Sequence, residues 1–120
     1  MNENEAPKAD LVFLKKFSKG DNSIVIKYLI IFLRSNPLLI DSLEKEIKQK
    51  DWTSVENTAH SLKTQFNFIG FHFGEKIARQ IRNNIEQEKN LDDLPGYIVQ
   101  LNRICVALKN QLEMEIKSLE

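Results

Sequence analysis

One stretch near the end constrains this chain more than any other. Tyr97, Leu101, Ile104, Leu108, Leu112, Ile116 and Leu119 recur every three or four positions, the spacing that places side chains on one face of an α-helix. It is the longest such stripe in the sequence. It begins beside Leu94 and Pro95, where proline suits a first helical turn, and it predicts a long wall of a helical bundle. Nowhere does a run sustain the two-residue alternation of a half-buried strand, and no repeat of solenoid period is visible. The expected fold class is therefore all-α. At 120 residues and 42% hydrophobic, the chain can build one core and is too short for two ordinary domains.

Residues 1–9 are polar and read as a flexible lead-in, so the domain is expected over 10–120. Asp10 can cap a short helix in which Leu11, Phe13, Leu14 and Phe17 gather on one side, ended by Gly20. That helix reads as a lid. Asp21 is an N-cap for Ile24 to Arg34, a nearly all-apolar segment that predicts a central helix covered on most of its circumference. Its most hydrophobic run is about half the ~20 residues that span a bilayer, and it contains Lys27. Asn36 followed by Pro37 predicts a stop and a restart, because the residue before proline is pushed out of helical geometry. A new helix then carries Ile40, Leu43 and Ile47, with Glu44 and Lys48 paired on its flank, to near Lys50. Asp51 opens the next, which runs to Gly70, where glycine permits a left-handed C-cap. After an aromatic turn, Phe71, His72, Phe73 and Gly74, the stripe Ile77, Ala78, Ile81 and Ile85 predicts a helix returning antiparallel through a short connection.

The helix from Asp51 to Gly70 carries the candidate chemistry. With ~100° per residue, Val55, Ala59, Leu62, Phe66 and Ile69 form a core stripe, while His60 lies about 140° away with Lys63, Thr64 and Asn67 on the same outer side. Phosphoryl transfer through histidine needs a neutral imidazole with one nitrogen free for in-line attack, a cation near the entering oxygens, and room for a partner's phosphorylated residue. The His60 face supplies them, with Lys63 one turn on to pair with phosphoryl charge.

The rest of the composition narrows the classes. The 17 basic and 17 acidic residues cancel, which argues against nucleic acid or a polybasic membrane contact and for protein partners. Cys105 is the single cysteine, so no intramolecular disulfide can form; with no signal-peptide core at the N-terminus, the cytoplasm is the default compartment. No glycine-rich phosphate loop, metal-site spacing or nucleophile triad is visible, so autonomous catalysis is not expected.

Ala59, His60, Ser61, Leu62 and Lys63, with Gly70 ten residues after the histidine and an amphipathic helix following, resemble the histidine-containing phosphotransfer (HPt) domain family. The DLVFLKKFSKGD segment and the Asp51–Trp52 helix start are similar to it in the same order, so the likeness spans residues 10–119. It implies an antiparallel four-helix bundle with a short N-terminal capping helix. It also implies a monomeric phosphoryl carrier between response-regulator receiver domains, one of which can belong to a hybrid sensor kinase. His60 would be the phosphoacceptor and Lys63 its electrostatic partner. The docking side would carry Thr64 and Asn67, extended by Arg79 and Arg82. Mg²⁺ would come from the receiver, since the carrier lacks an acidic metal site of its own. A leucine expected just after the corner is replaced around Phe73 and Gly74, which implies a repacked turn, and two positions at the site also depart from the pattern. Thr64 stands where glycine is usual beside the histidine. Arg82 stands where a glutamine or acid often accepts a hydrogen bond from the imidazole; arginine cannot accept, which leaves Glu86, one turn later, to orient the ring. A non-catalytic interaction bundle is the alternative, and a metal or ligand binder using His60 and His72 a third.

Other residues read as structure. His72 is a corner residue, Cys105 a buried thiol, Trp52 a packing anchor and Phe66 part of the core. Phe68 falls about 140° from the stripe, on the side opposite His60, and is expected to pack on the N-terminal helix or a partner.

Overall fold

A computed structural model of the chain describes residues 8–120. Its helices are α1 (Val12–Phe17), α2 (Asn22–Lys48), α3 (Trp52–Phe68), α4 (His72–Gln87) and α5 (Leu94–Leu119), the last preceded by a 3₁₀ turn at Leu91–Asp93. No strand occurs among the described residues. The four long helices form a bundle of 45 × 30 × 20 Å in which α2 and α4 each pack against both α3 and α5. Short connections make successive helices antiparallel.

Two of the three predicted N-caps are present; at α1 the N-cap is Leu11 and not Asp10, whose carboxylate accepts from the Val12 N–H (3.0 Å) one residue outside the cap. Asp21 accepts from the Ser23 N–H and Asp51 from the Ser54 N–H. At Asp21 the Ser23 hydroxyl and then the Ser23 N–H hold the carboxyl below the usual range, because both bonds favour its charged form. The predicted α3 stripe, Val55, Ala59, Leu62, Phe66 and Ile69, is at most 1% exposed throughout. In α5, Leu101, Ile104, Leu108 and Leu112 are buried as expected, joined by Leu94 and Ile98, while Tyr97, Ile116 and Leu119 pack partly buried at the margin.

The helix break expected at Asn36–Pro37 does not occur: α2 runs unbroken for 27 residues with Pro37 inside it. Proline inside a helix costs about 3 kcal/mol. Against that, Val25, Leu29, Phe32, Ile40, Leu43 and Ile47 form one buried line through the proline, each contributing about 2 kcal/mol on burial. A turn at Pro37 would take half of that line off the core. Beside the proline, the Ser35 hydroxyl donates to the Ile31 carbonyl (2.8 Å) and accepts from Gln65 Nε2 (2.6 Å). Gln65 Oε1 in turn accepts from Asn36 Nδ2 (3.2 Å). This chain of bonds ties α2 to α3 where the backbone ladder is weakest.

Three further expectations are corrected. The apolar start of α2 is a wall, not a surrounded rod: only one line of it is buried, and Ile24 and Ile31 are 37% and 47% exposed. It is nonetheless the one helix among the described residues long and apolar enough to cross a bilayer. In α1 the apolar group splits, with Leu11 and Leu14 buried and Phe13 and Phe17 more than half exposed, meeting Phe68 edge-on at 5.7 and 5.4 Å. Phe68 thus packs on the N-terminal helix, one of the two alternatives its angle left open. Finally, α4 starts at His72, so the turn after α3 is shorter than the four aromatic-corner residues suggested. Gly74 lies inside that helix, at a position where a Cβ would stand 2.7 Å from the Phe66 ring.

The expected flexible lead-in falls largely on residues 1–7, outside the described residues. Ala9, also assigned to it, is held: its N–H donates to Gln111 Oε1 (2.8 Å) and its carbonyl accepts from Gln111 Nε2 (3.0 Å). Gly70 is the anchor on the other side. It has φ +65°, follows the C-cap Ile69, and lies so near Asp10 that a Cβ would stand 2.1 Å from its carbonyl oxygen.

Candidate functional site

His60 sits on α3 between Ala59 and Leu62, both 0% exposed. These fix the helix against the core and leave the imidazole in solvent. Across from it, on α4, Arg82 brings Nη1 to 3.4 Å from His60 Nδ1. Arg82 is half-buried, and its Nε is buried without a hydrogen-bond partner. Guanidinium and imidazole therefore face each other in the α3–α4 seam with no carboxylate hydrogen-bonded to either among the described residues.

Lys63 is half-buried one turn along α3 and forms no ion pair among the described residues. The Thr64 hydroxyl donates to the His60 carbonyl at 3.1 Å, so its hydrogen is spent within the helix and only its lone pairs face outward. Asn67 lies two turns from His60 beside α1. It lines a groove of about 340 Å³ with Asp10, Val12, Phe13, Lys16, Gly70 and His72. Arg79 is tied to Glu75 Oε1 at 2.7 Å, and the other oxygen of Glu75 is 3.3 Å from His72 Nδ1. Glu86, proposed from sequence to orient the ring, is exposed and makes no hydrogen bond to it; Arg82 occupies Nδ1 instead. The structure thus joins His60 and Arg82 directly, keeps Lys63 and Thr64 beside them, and sets Arg79, Asn67 and Glu86 apart.

Gln65, given no role from sequence, is the stitch to α2 described above. A signal for it existed. Asn36 is a polar residue on an otherwise apolar helical line and is 0% exposed, so its amide must find a partner on a facing helix.

Residues 27–118 match the model of the Hpt domain. The chain belongs to the Hpt domain family. Hpt domains are phosphotransfer carriers that work with receiver domains and histidine kinases in two-component signalling, and membership of the family supports that role for this bundle. Its fold resembles the crystal structure of the HPT domain from the Hpt sensor hybrid histidine kinase of Shewanella. The TM-score is 0.70 at 14% identity, over 87% of this chain and 89% of that one. No curated protein matches it.

Proposed function

We propose that His60 of this Hpt domain accepts a phosphoryl group from the aspartate of one receiver domain and passes it to the aspartate of another. The observation that carries the reading is an exposed imidazole on a helix fixed by 0%-exposed neighbours, flanked by Lys63 and Arg82. Nδ1 is covered by Arg82, so Nε2 meets the incoming phosphorus. The N–P bond forms as the P–O bond to the donor aspartate breaks, with the electron pair leaving on the carboxylate. Lys63 offsets charge on the phosphoryl oxygens. Mg²⁺ belongs to the receiver's site in this scheme, and the carrier contributes the nucleophile and its cations. Contacts on this face are expected to be transient and modest in area.

A second reading is a non-catalytic interaction bundle, favoured by the donor-only Arg82 at the ring and by Thr64 beside it. One assay separates them. The protein is incubated with a phosphorylated receiver domain and Mg²⁺, and acid-labile, alkali-stable label is measured on wild type and His60→Gln. Label on wild type alone supports the relay; absence of label from both sinks it.

A further inference from the structure

The contact between Arg82 and His60 restricts where the imidazole proton can be. A guanidinium stays charged and carries only donors, so Nη1 at 3.4 Å from Nδ1 is a hydrogen bond only if Nδ1 holds a lone pair. In the neutral ring the proton then resides on Nε2. Nothing nearby argues for the opposite tautomer. The Glu75 carboxylate is engaged by Arg79 and His72, the Thr64 hydroxyl donates to backbone, and Glu86 does not reach the ring. Arg82 is itself half-buried, its Nε has no hydrogen-bond partner, and its one side-chain hydrogen bond among the described residues is the Nη1 contact to His60.

Yet Nε2 is the nitrogen left open to a partner, and attack requires its in-plane lone pair. We propose that Arg82 is a positioning residue that holds resting His60 in the Nε2–H tautomer and holds Nδ1 bare after phosphorylation, making this domain a slow-loading, slow-releasing phosphoryl store. The kinetic half of this inference rests on His60 being the phosphoacceptor. To load, the proton moves from Nε2 through water to Nδ1 and Arg82 gives up its contact. The Nε2 pair then forms the N–P bond as the aspartyl P–O bond breaks onto the carboxylate. The Nδ1 proton is released to solvent and Arg82 donates to the bare nitrogen. Unloading needs that proton back, because breaking the N–P bond onto an imidazole without it creates a poor, anionic leaving group.

The test compares wild type, Arg82→Lys, which still only donates, and Arg82→Gln, whose carbonyl can accept from Nδ1–H. Ring ¹⁵N shifts of His60 are read about two pH units above the ordinary imidazole range. Wild type and Arg82→Lys are expected as Nε2–H, and Arg82→Gln as Nδ1–H. In the receiver assay Arg82→Gln is expected to load and to release about tenfold faster, the scale of one charge-assisted hydrogen bond, with the melting temperature showing that the fold is kept. Wild type found as Nδ1–H, or an unchanged tautomer in Arg82→Gln, overturns the assignment. A shifted tautomer with unchanged rates overturns the storage role. Absence of label from every form defeats the phosphoacceptor reading and the storage role together, while the ring shifts still decide the tautomer.

Discussion

Replacing Gly70 with alanine probes how the N-terminal segment is locked to the bundle. Gly70 has φ +65°, a left-handed conformation that costs a residue with a side chain about 1 kcal/mol. A Cβ would also stand 2.1 Å from the Asp10 carbonyl oxygen and 2.9 Å from its carbon, so Asp10 has to withdraw. Withdrawal breaks the bond from the Asp10 N–H, which is shared between the Ile69 and Gly70 carbonyls at 3.1 and 3.3 Å, a net loss of about 1 kcal/mol. It also pulls on Leu11 and Leu14, 6% and 0% exposed; losing a quarter of their burial adds about 1 kcal/mol. The expected total is about 3 kcal/mol. Gly20 is the control, because its φ is +76° but nothing lies within 4 Å of an added Cβ, so Gly20→Ala is expected to cost about 1 kcal/mol. Urea unfolding of both variants, with amide exchange followed over residues 9–20, measures the difference. Equal losses, or unchanged protection at Asp10 in Gly70→Ala, would refute the steric lock.

Lys63→Ala is expected to slow phosphoryl acceptance about tenfold with the melting temperature unchanged, since the side chain forms no ion pair among the described residues; an unaltered rate would remove its electrostatic role. Gln65→Leu strips the partner from the Asn36 amide, whose oxygen is already without one, and is expected to cost about 2 kcal/mol in urea unfolding. Adding Asn36→Leu should recover part of that loss, and strict additivity would argue against a shared network. Pro37→Ala returns an N–H to the Leu33 carbonyl and is expected to stabilise the protein by about 1 kcal/mol, part of the helix penalty being offset by a less restricted unfolded chain; a lower melting temperature would contradict this. At Cys105, burial first and then the Asp41 charge push the thiol up, against a smaller opposing effect of Lys109. The unfolded thiol therefore ionises first, so stability is full below the ordinary thiol range and falls as pH rises through it. Unfolding curves of wild type and Cys105→Ala across that range should diverge, and parallel curves would refute it.

Local chemistry along the chain settles whatever lies within a turn or two of helix. The stripe from Val55 to Ile69 follows from periodicity, the starts of α2 and α3 from the cap chemistry of Asp21 and Asp51, and the corner at Gly70 from the freedom of glycine. The outward direction of His60 and the separate packing of Phe68 follow from the same angles, so the face of the candidate site was legible before any helix had a neighbour. Tertiary structure decided whatever depends on which surfaces meet. Local rules break the chain at Pro37, but a buried line shared by both halves of α2 outweighs the loss of one backbone bond. Ile24, Ile31, Phe13 and Phe17 are apolar by sequence, yet their exposure is set by how few helices cover them. Gln65 matters because Asn36 and Ser35 arrive opposite it from another helix. The choice of Arg82 over Glu86 at the imidazole is of the same kind. Both lie one turn apart on α4, and only the packing of α4 on α3 selects which of them reaches His60 Nδ1.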